Sequence, residues 1–162
     1  YKNILTIIIP RHIDRIERIK SELEKLNLKT CLYSKFDEIN VKTDILLIDA
    51  YGESSKFFSI AKYVFLGGSL IKHGGQNPIE ASRLGCKIFH GPNIDNFFEI
   101  YEYLKSLKIA NQIYNSEELN QSLVEEFKLE KVDNKQIIEK IDNYGKNILN
   151  NVINDLKKYI NI

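Results

Sequence analysis

Between residues 63 and 84 the chain passes from an apolar run, Tyr63-Val64-Phe65-Leu66, through Gly67-Gly68-Ser69-Leu70-Ile71-Lys72-His73-Gly74-Gly75-Gln76-Asn77, into Pro78-Ile79-Glu80-Ala81-Ser82-Arg83-Leu84. The first segment reads as a buried strand. The last reads as a helix with Pro in its first turn. A strand, a glycine-rich turn and a helix start, in that order, suit an α/β fold and form an anion site. Glycines let the backbone approach a ligand closely, and the first N–H groups of the helix point at it. Glu80 falls inside the first turn, about where a ribose would lie if a nucleotide phosphate occupied the turn. A single Gly-Gly pair would read as a tight turn with no ligand. Here two pairs converge with Lys72, His73, Gln76, Asn77 and Glu80 on one loop, and that favours a ligand.

The rest of the chain alternates in the same way. Residues 3–9, 28–33, 44–48, 63–66, 87–90 and 108–113 read as strands, from their short β-branched or apolar runs. Residues 13–26 place Ile13, Ile16, Ile19, Leu23 and Leu26 on one helical face, with charged residues opposite. Further helices are expected over 54–62, 77–84, 96–107 and 116–127. A last helical region covers 133 to about 159, with a possible break near Gly145. This alternation predicts one compact domain over residues 1–162, built on a parallel sheet of five or six strands with helices on both faces. Ligands of such sheets bind beyond the carboxyl ends of the strands. The Pro10, Asp49, Gly67 and Gly91 loops all follow strands, so they are expected on one rim.

Composition excludes several classes. The 23 basic and 22 acidic residues give a formal net charge of +1, without the basic excess that nonspecific nucleic-acid binding requires. No apolar run approaches the roughly 18 residues of a membrane span. Residues 4–9 are too short for a signal peptide and end at Pro10-Arg11-His12. Cys31 and Cys86 have no metal-type spacing and read as reduced core residues of a cytosolic protein. The chain has no Met and begins Tyr1-Lys2-Asn3 directly before a strand, which predicts that it is a piece of a longer protein.

Several side chains on the expected rim have suitable chemistry. Arg11 can make a bidentate contact with a phosphate or carboxylate; alternatively it pairs with Asp14 and stiffens the turn. His12 is a weaker candidate beside it. Gly52 and Glu53 could approach a base or sugar, or could simply begin a helix with its acid well placed against the dipole. Lys72 and His73 are candidate phosphate neighbours or solvent-facing residues. Asn96 reads as the N-cap of the following helix rather than a ligand contact. No zinc-type Cys/His spacing, no Ser-His-Asp order and no Gly-x-x-x-x-Gly-Lys-Ser/Thr loop is present.

Taken together, these loops resemble the C-terminal half of 3-deoxy-D-manno-octulosonic acid (Kdo) transferases. Pro10-Arg11-His12-Ile13-Asp14-Arg15 is similar to the family's Pro-Arg-His-Pro-Glu-Arg, and Asp49-Ala50-Tyr51-Gly52-Glu53 to its Asp-Thr-Met-Gly-Glu. Phe65-Leu66-Gly67-Gly68-Ser69-Leu70 and Gly74-Gly75-Gln76-Asn77-Pro78-Ile79-Glu80 are similar to Val-Gly-Gly-Ser and Gly-Gly-His-Asn-Pro-Leu-Glu. Gly91-Pro92 with Asn96-Phe97 is similar to Gly-Pro…Asn-Phe. Gln76 stands where His is usual, so imidazole chemistry there is not expected to be essential. Ala81, Ser54 and Ile13 also depart from the common residues.

The resemblance implies the C-terminal, Rossmann-like half of a two-domain (GT-B type) glycosyltransferase. That half would bind CMP-Kdo through Arg11, His12, Gly52, Glu53, Lys72, Gly74, Gly75, Gln76, Asn77 and Glu80, with no cofactor and no metal. The chain's own N-terminal domain would hold the lipid A precursor and the catalytic carboxylate base, at the cytoplasmic face of the bacterial inner membrane. On that account no catalytic residue lies in this chain, which by itself is soluble and inactive. Two alternatives remain: a UDP-sugar glycosyltransferase or epimerase of the same fold, and a noncatalytic nucleotide-binding or receiver-like module with Asp49 as its acceptor.

Overall fold

A computed structural model describes residues 4–129 and 135–159 of the 162. The chain divides into two compact units, Tyr1–Phe57 and Phe58–Ile162.

In the first unit, β1 (Thr6–Ile8), β2 (Thr30–Leu32) and β3 (Ile45–Leu47) form an all-parallel sheet in the order β1-β3-β2. Ile45 aligns with Thr6 on one side and Thr30 on the other. The apolar Ile-Leu-Leu of β3 suits this central place, and all three residues are buried. The edge strand β1 is only partly covered, and its flanking Ile4, Leu5 and Ile9 are exposed. A 3-10 turn at Ile13–Arg15 leads into α1 (Ile16–Lys25), which anchors on the buried Ile16. Asn27 adopts φ 59, a left-handed conformation that stops the helix. The short α2 (Ser54–Phe58) brings Phe57 against Leu46 and Ile48, with its ring edge-on to Tyr33 at 5.4 Å.

In the second unit, β4 (Tyr63–Leu66), β5 (Lys87–His90) and β6 (Ala110–Gln112) form a parallel sheet in that order. Its helices are α3 (Ile79–Arg83), α4 (Phe98–Ser106), α5 (Ser116–Lys128) and α6 (Lys135–Lys157). Leu66, Ala81, Ile88, Tyr101, Leu104, Ile109 and Ile141 belong to one continuous core. The helix α5 is capped as its sequence suggests: Asn115 Oδ1 accepts from Glu118 N at 2.9 Å, and Glu118 accepts from Tyr114 N.

The parallel α/β reading holds, but the six strands form two three-stranded sheets rather than one. β3 pairs with β1 and β2, and β4 pairs with β5 in a separate sheet. Helices are shorter than the periodicity suggests at 54–62 and 77–84. The expected break in the last helix does not occur. Arg83 pairs with Asp142 at 2.7 Å and Tyr103 stacks on Tyr144 at 4.1 Å, just before Gly145. Gly145 itself faces open space, and one exposed glycine costs a helix only about 1 kcal/mol. The expected start of that region, Asp133, lies outside the described residues. Beyond Gly145, α6 leaves Ile148, Leu149, Val152 and Leu156 exposed. No described helix is long and apolar enough to cross a membrane.

Candidate functional site

Parallel pairing sets the loop geometry of each unit. In the second, β4 and β5 are neighbours in register, Leu66 beside His90, so the loops leaving them emerge side by side. Ser69 joins them. Its buried hydroxyl donates to Leu66 O at 2.7 Å and accepts from Gly91 N at 2.8 Å. Its carbonyl accepts from Asn93 N at 2.9 Å and from Asn93 Nδ2 at 3.0 Å. The backbones approach so closely that a Cβ at Gly91 would overlap the Ser69 carbonyl and the Leu70 nitrogen. A residue with any side chain is therefore excluded at 91.

The turn itself needs its second glycine pair. Gly74 and Gly75 adopt φ +80 and +73, a region that a Cβ disfavours. A Cβ at Gly74 would also strike the Asn96 carboxamide. Gly75 N donates to Gly68 O at 3.3 Å, folding the loop back on its start. Gln76 O accepts from Tyr101 Oη at 2.9 Å. The Asn77 side chain accepts from Ile79 N at 2.9 Å. Against the loop lies a cavity of about 490 Å³ lined by Lys72, His73, Gly74, Asn93, Asp95 and Asn96. Two amides, a carboxylate, an ammonium and an imidazole suit a polar, hydroxylated or anionic ligand. Lys72, His73, Asn77 and Glu80 are exposed, and Gln76 is half-buried.

Two expectations change here. The helix after the turn, α3, has five residues and starts from Pro78 as its N-cap. Its dipole is too short to carry anion binding, so the loop's own N–H groups and nearby cations must do more of that work. Asn96 does not cap a helix. It lies inside a 3-10 turn, Asp95–Phe97; Phe97 holds the N-cap position of α4, and no side-chain cap bond forms. The Asn96 carboxamide lies over Gly74 and lines the cavity instead.

In the first unit, the Pro10 and Asp49 loops follow β1 and β3, which are also adjacent and parallel. Arg11 and His12 are exposed. Arg11 makes no ion pair with Asp14 among the described residues. Gly52 turns at φ +79. Glu53 accepts from Lys56 Nζ at 2.7 Å and from Tyr33 Oη at 3.2 Å. The Lys56 bond leads in holding the Glu53 carboxyl below its ordinary pKa. Asp49 accepts from Ser34 N and Ser34 Oγ. Partial burial pushes its carboxyl up, and the Ser34 bonds outweigh that and leave it lowered. No group of three or more His, Cys, Asp or Glu is placed to hold a metal among the described residues. An occupied Asp49 without an acidic cluster does not suit a receiver.

Sequence reasoning did not find Ser69, Asn93, Asp95 or Tyr101. Asn93 carried a signal, its place in a Gly-Pro-Asn turn after a strand. Tyr101 carried none, since it reads as one more apolar position of α4.

No family model matches the chain. Over 149 residues it is 28% identical to the 3-deoxy-D-manno-octulosonic acid transferase of Haemophilus influenzae, an alignment covering 92% of this chain and 34% of that protein. It is 31% identical over 154 residues to the transferase of the same name from Rickettsia prowazekii, covering 95% of this chain and 32% of that one. The chain is a homologue of the Kdo transferases. It spans about a third of their length. A bifunctional glycosyltransferase/methyltransferase of Fusobacterium nucleatum is also related, 33% identical over 72% of this chain and 19% of that protein. Among solved structures, the C-terminal CMP-Kdo binding domain of WaaA from Acinetobacter baumannii has the same fold. The TM-score is 0.71 at 23% identity, over 88% of this chain and 72% of that one.

Proposed function

We propose that this chain is the donor-binding half of an inverting glycosyltransferase that transfers Kdo from CMP-Kdo to a lipid A precursor in lipopolysaccharide biosynthesis. The observation that carries the reading is the Gly67-to-Glu80 loop, clamped at Ser69 and opening on a polar cavity, in a homologue of the Kdo transferases. The named role of the Acinetobacter domain supports it. In this reading Gly74, Gly75, Gln76 and Asn77 bring backbone and amide groups to the nucleotide, Lys72 counters phosphate charge and Glu80 accepts from the ribose hydroxyls. Arg11, His12, Gly52 and Glu53 are proposed as further ligand contacts of the first unit.

The acceptor hydroxyl loses its proton to a base outside this chain and attacks the anomeric carbon as CMP leaves. This half orients the donor and stabilises the leaving phosphate. No metal or cofactor enters the proposal. The N-terminal domain would hold the acceptor at the cytoplasmic face of the inner membrane. The uncovered apolar residues of α6 after Gly145 suit a contact with that domain. A UDP-sugar enzyme of the same fold is the second reading, kept by the likeness to a glycosyltransferase of a different name.

Calorimetric titration with CMP, UMP and inorganic phosphate tests the proposal. CMP should bind more tightly than UMP. Glu80→Gln should cost CMP roughly 1.5–3 kcal/mol, as for a hydrogen bond to a charged group, and leave phosphate unaffected. Arg11→Ala should weaken both. Equal effects of Glu80→Gln on both ligands would remove Glu80 from the site. Glycosyl transfer by residues 1–162 alone would refute the placing of the base elsewhere.

A further inference from the structure

Two consecutive glycines in left-handed conformation give the loop no steric preference of its own for the peptides that follow. The residue before Pro78 is held extended by that proline, but this leaves the Gln76–Asn77 peptide free to turn about its neighbours. Something outside the loop must choose its orientation. The Gly75-to-Gly68 bond is long, at 3.3 Å, and lies one residue earlier. The bond from Tyr101 Oη to Gln76 O is shorter, at 2.9 Å, and comes from a side chain only 1% exposed.

Tyr101 is itself held. Its ring lies 4.3 Å from that of His90, the last residue of β5, and it belongs to the main core of its unit. His90 Nδ1 lies 2.8 Å from Gly91 O and donates to it. The hydroxyl therefore projects from a fixed base. No cis peptide is present among the described residues. In a trans peptide the carbonyl and the following N–H point in opposite directions. With the Gln76 carbonyl drawn toward Tyr101, the Asn77 N–H points away from the core.

We infer that Tyr101 is a positioning residue for the ligand loop: by holding the Gln76 carbonyl it aims the Asn77 N–H outward as a fixed hydrogen-bond donor for the nucleotide's phosphate. The inference rests on the donor-binding reading for the identity of the ligand. The loop order it asserts exists without one. Tyr101 touches no ligand atom in this scheme and acts through the peptide.

The same helix supplies a matched control. Tyr103 Oη donates to another backbone carbonyl, that of Lys140, at 3.1 Å. Tyr101→Phe and Tyr103→Phe thus each delete one phenol-to-carbonyl bond from α4. Calorimetry with CMP should show Tyr101→Phe weakened about five- to tenfold, from the loss of one buried hydrogen bond, and Tyr103→Phe within about twofold of the parent. In ligand-free protein, the Gln76 and Asn77 amide resonances of Tyr101→Phe should shift or broaden, and those of Tyr103→Phe should not. Equal CMP affinities in the two variants would overturn the inference, and so would unchanged loop amides in Tyr101→Phe. A parent chain that does not bind CMP would instead refute the donor-binding reading, and the ligand-free spectra would then decide the positioning role alone.

Discussion

The loops that leave the second sheet are tied together from within, whereas those that leave the first are tied by bonds that are exposed or only partly buried. Ser69, at a buried position, makes four hydrogen bonds, three of which join the β4 loop to the β5 loop. In the first unit the corresponding tie is Ser34 to Asp49, which is exposed to solvent. The Arg11 and His12 side chains have no hydrogen-bond or ion-pair partner among the described residues. The cores differ in step. Ten buried residues share one cluster in the second unit, against three in the first. A loop fixed before its ligand arrives loses less conformational freedom on binding. The second unit is thus built to present a formed surface. The first carries an exposed Arg11 that a ligand would have to order.

The largest expected contrast lies between two glycines. Gly91→Ala places a methyl inside the Ser69 backbone and should destabilise the second unit by about 3 kcal/mol or more. Gly52→Ala meets nothing within 4 Å and should cost only about 1 kcal/mol, from its positive φ. Urea unfolding of both variants checks this. Similar losses would dissolve the contrast between the units.

The two serines come next. Ser69→Ala strands the Gly91 N–H in the interior and should cost about 2 kcal/mol. Ser34→Ala removes one exposed bond, that of the hydroxyl, keeps the backbone one, and should cost less than about 1 kcal/mol. Its loss also has a pH signature. Asp49 is held below its usual range, so the stability it contributes is present above the ordinary carboxylate pKa and disappears as pH falls through the lowered value. Ser34→Ala should make that acid limb shallower in thermal unfolding, since only the hydroxyl's share is lost, and Ser69→Ala should leave it intact.

The last contrast, visible only on acidification, belongs to His90. Burial leads in lowering its pKa below 6.5, and its Nε2 is buried without a hydrogen-bond partner among the described residues. The unfolded chain therefore takes up a proton before the folded one does. Stability should be complete above about pH 6.5 and fall as pH drops below it, by up to about 1.4 kcal/mol per pH unit. His90→Leu should remove that slope. An unchanged slope would mean that other groups set the acid sensitivity near neutrality.

The sequence made the parallel α/β plan legible because β-branched runs and glycine turns are local signals. The second strand pair was read to the residue at Tyr63–Leu66 and Lys87–His90. The division into two sheets was not legible, since nothing local in Ile45–Leu47 says that both its edges will be taken. The glycine loop announced itself through composition. What holds it did not: Ser69 reads as a small polar loop residue, and Tyr101 lies 25 positions from the carbonyl it holds. Asn96 misled because a polar residue before an apolar helical run is also what an N-cap looks like.

Amide spectra recorded while the chain is titrated with CMP test the central claim most directly. The account predicts saturable shifts concentrated in residues 67–80 and 91–96, larger with CMP than with UMP or phosphate. Absence of binding at millimolar CMP, or shifts confined to residues outside those two loops, would contradict it.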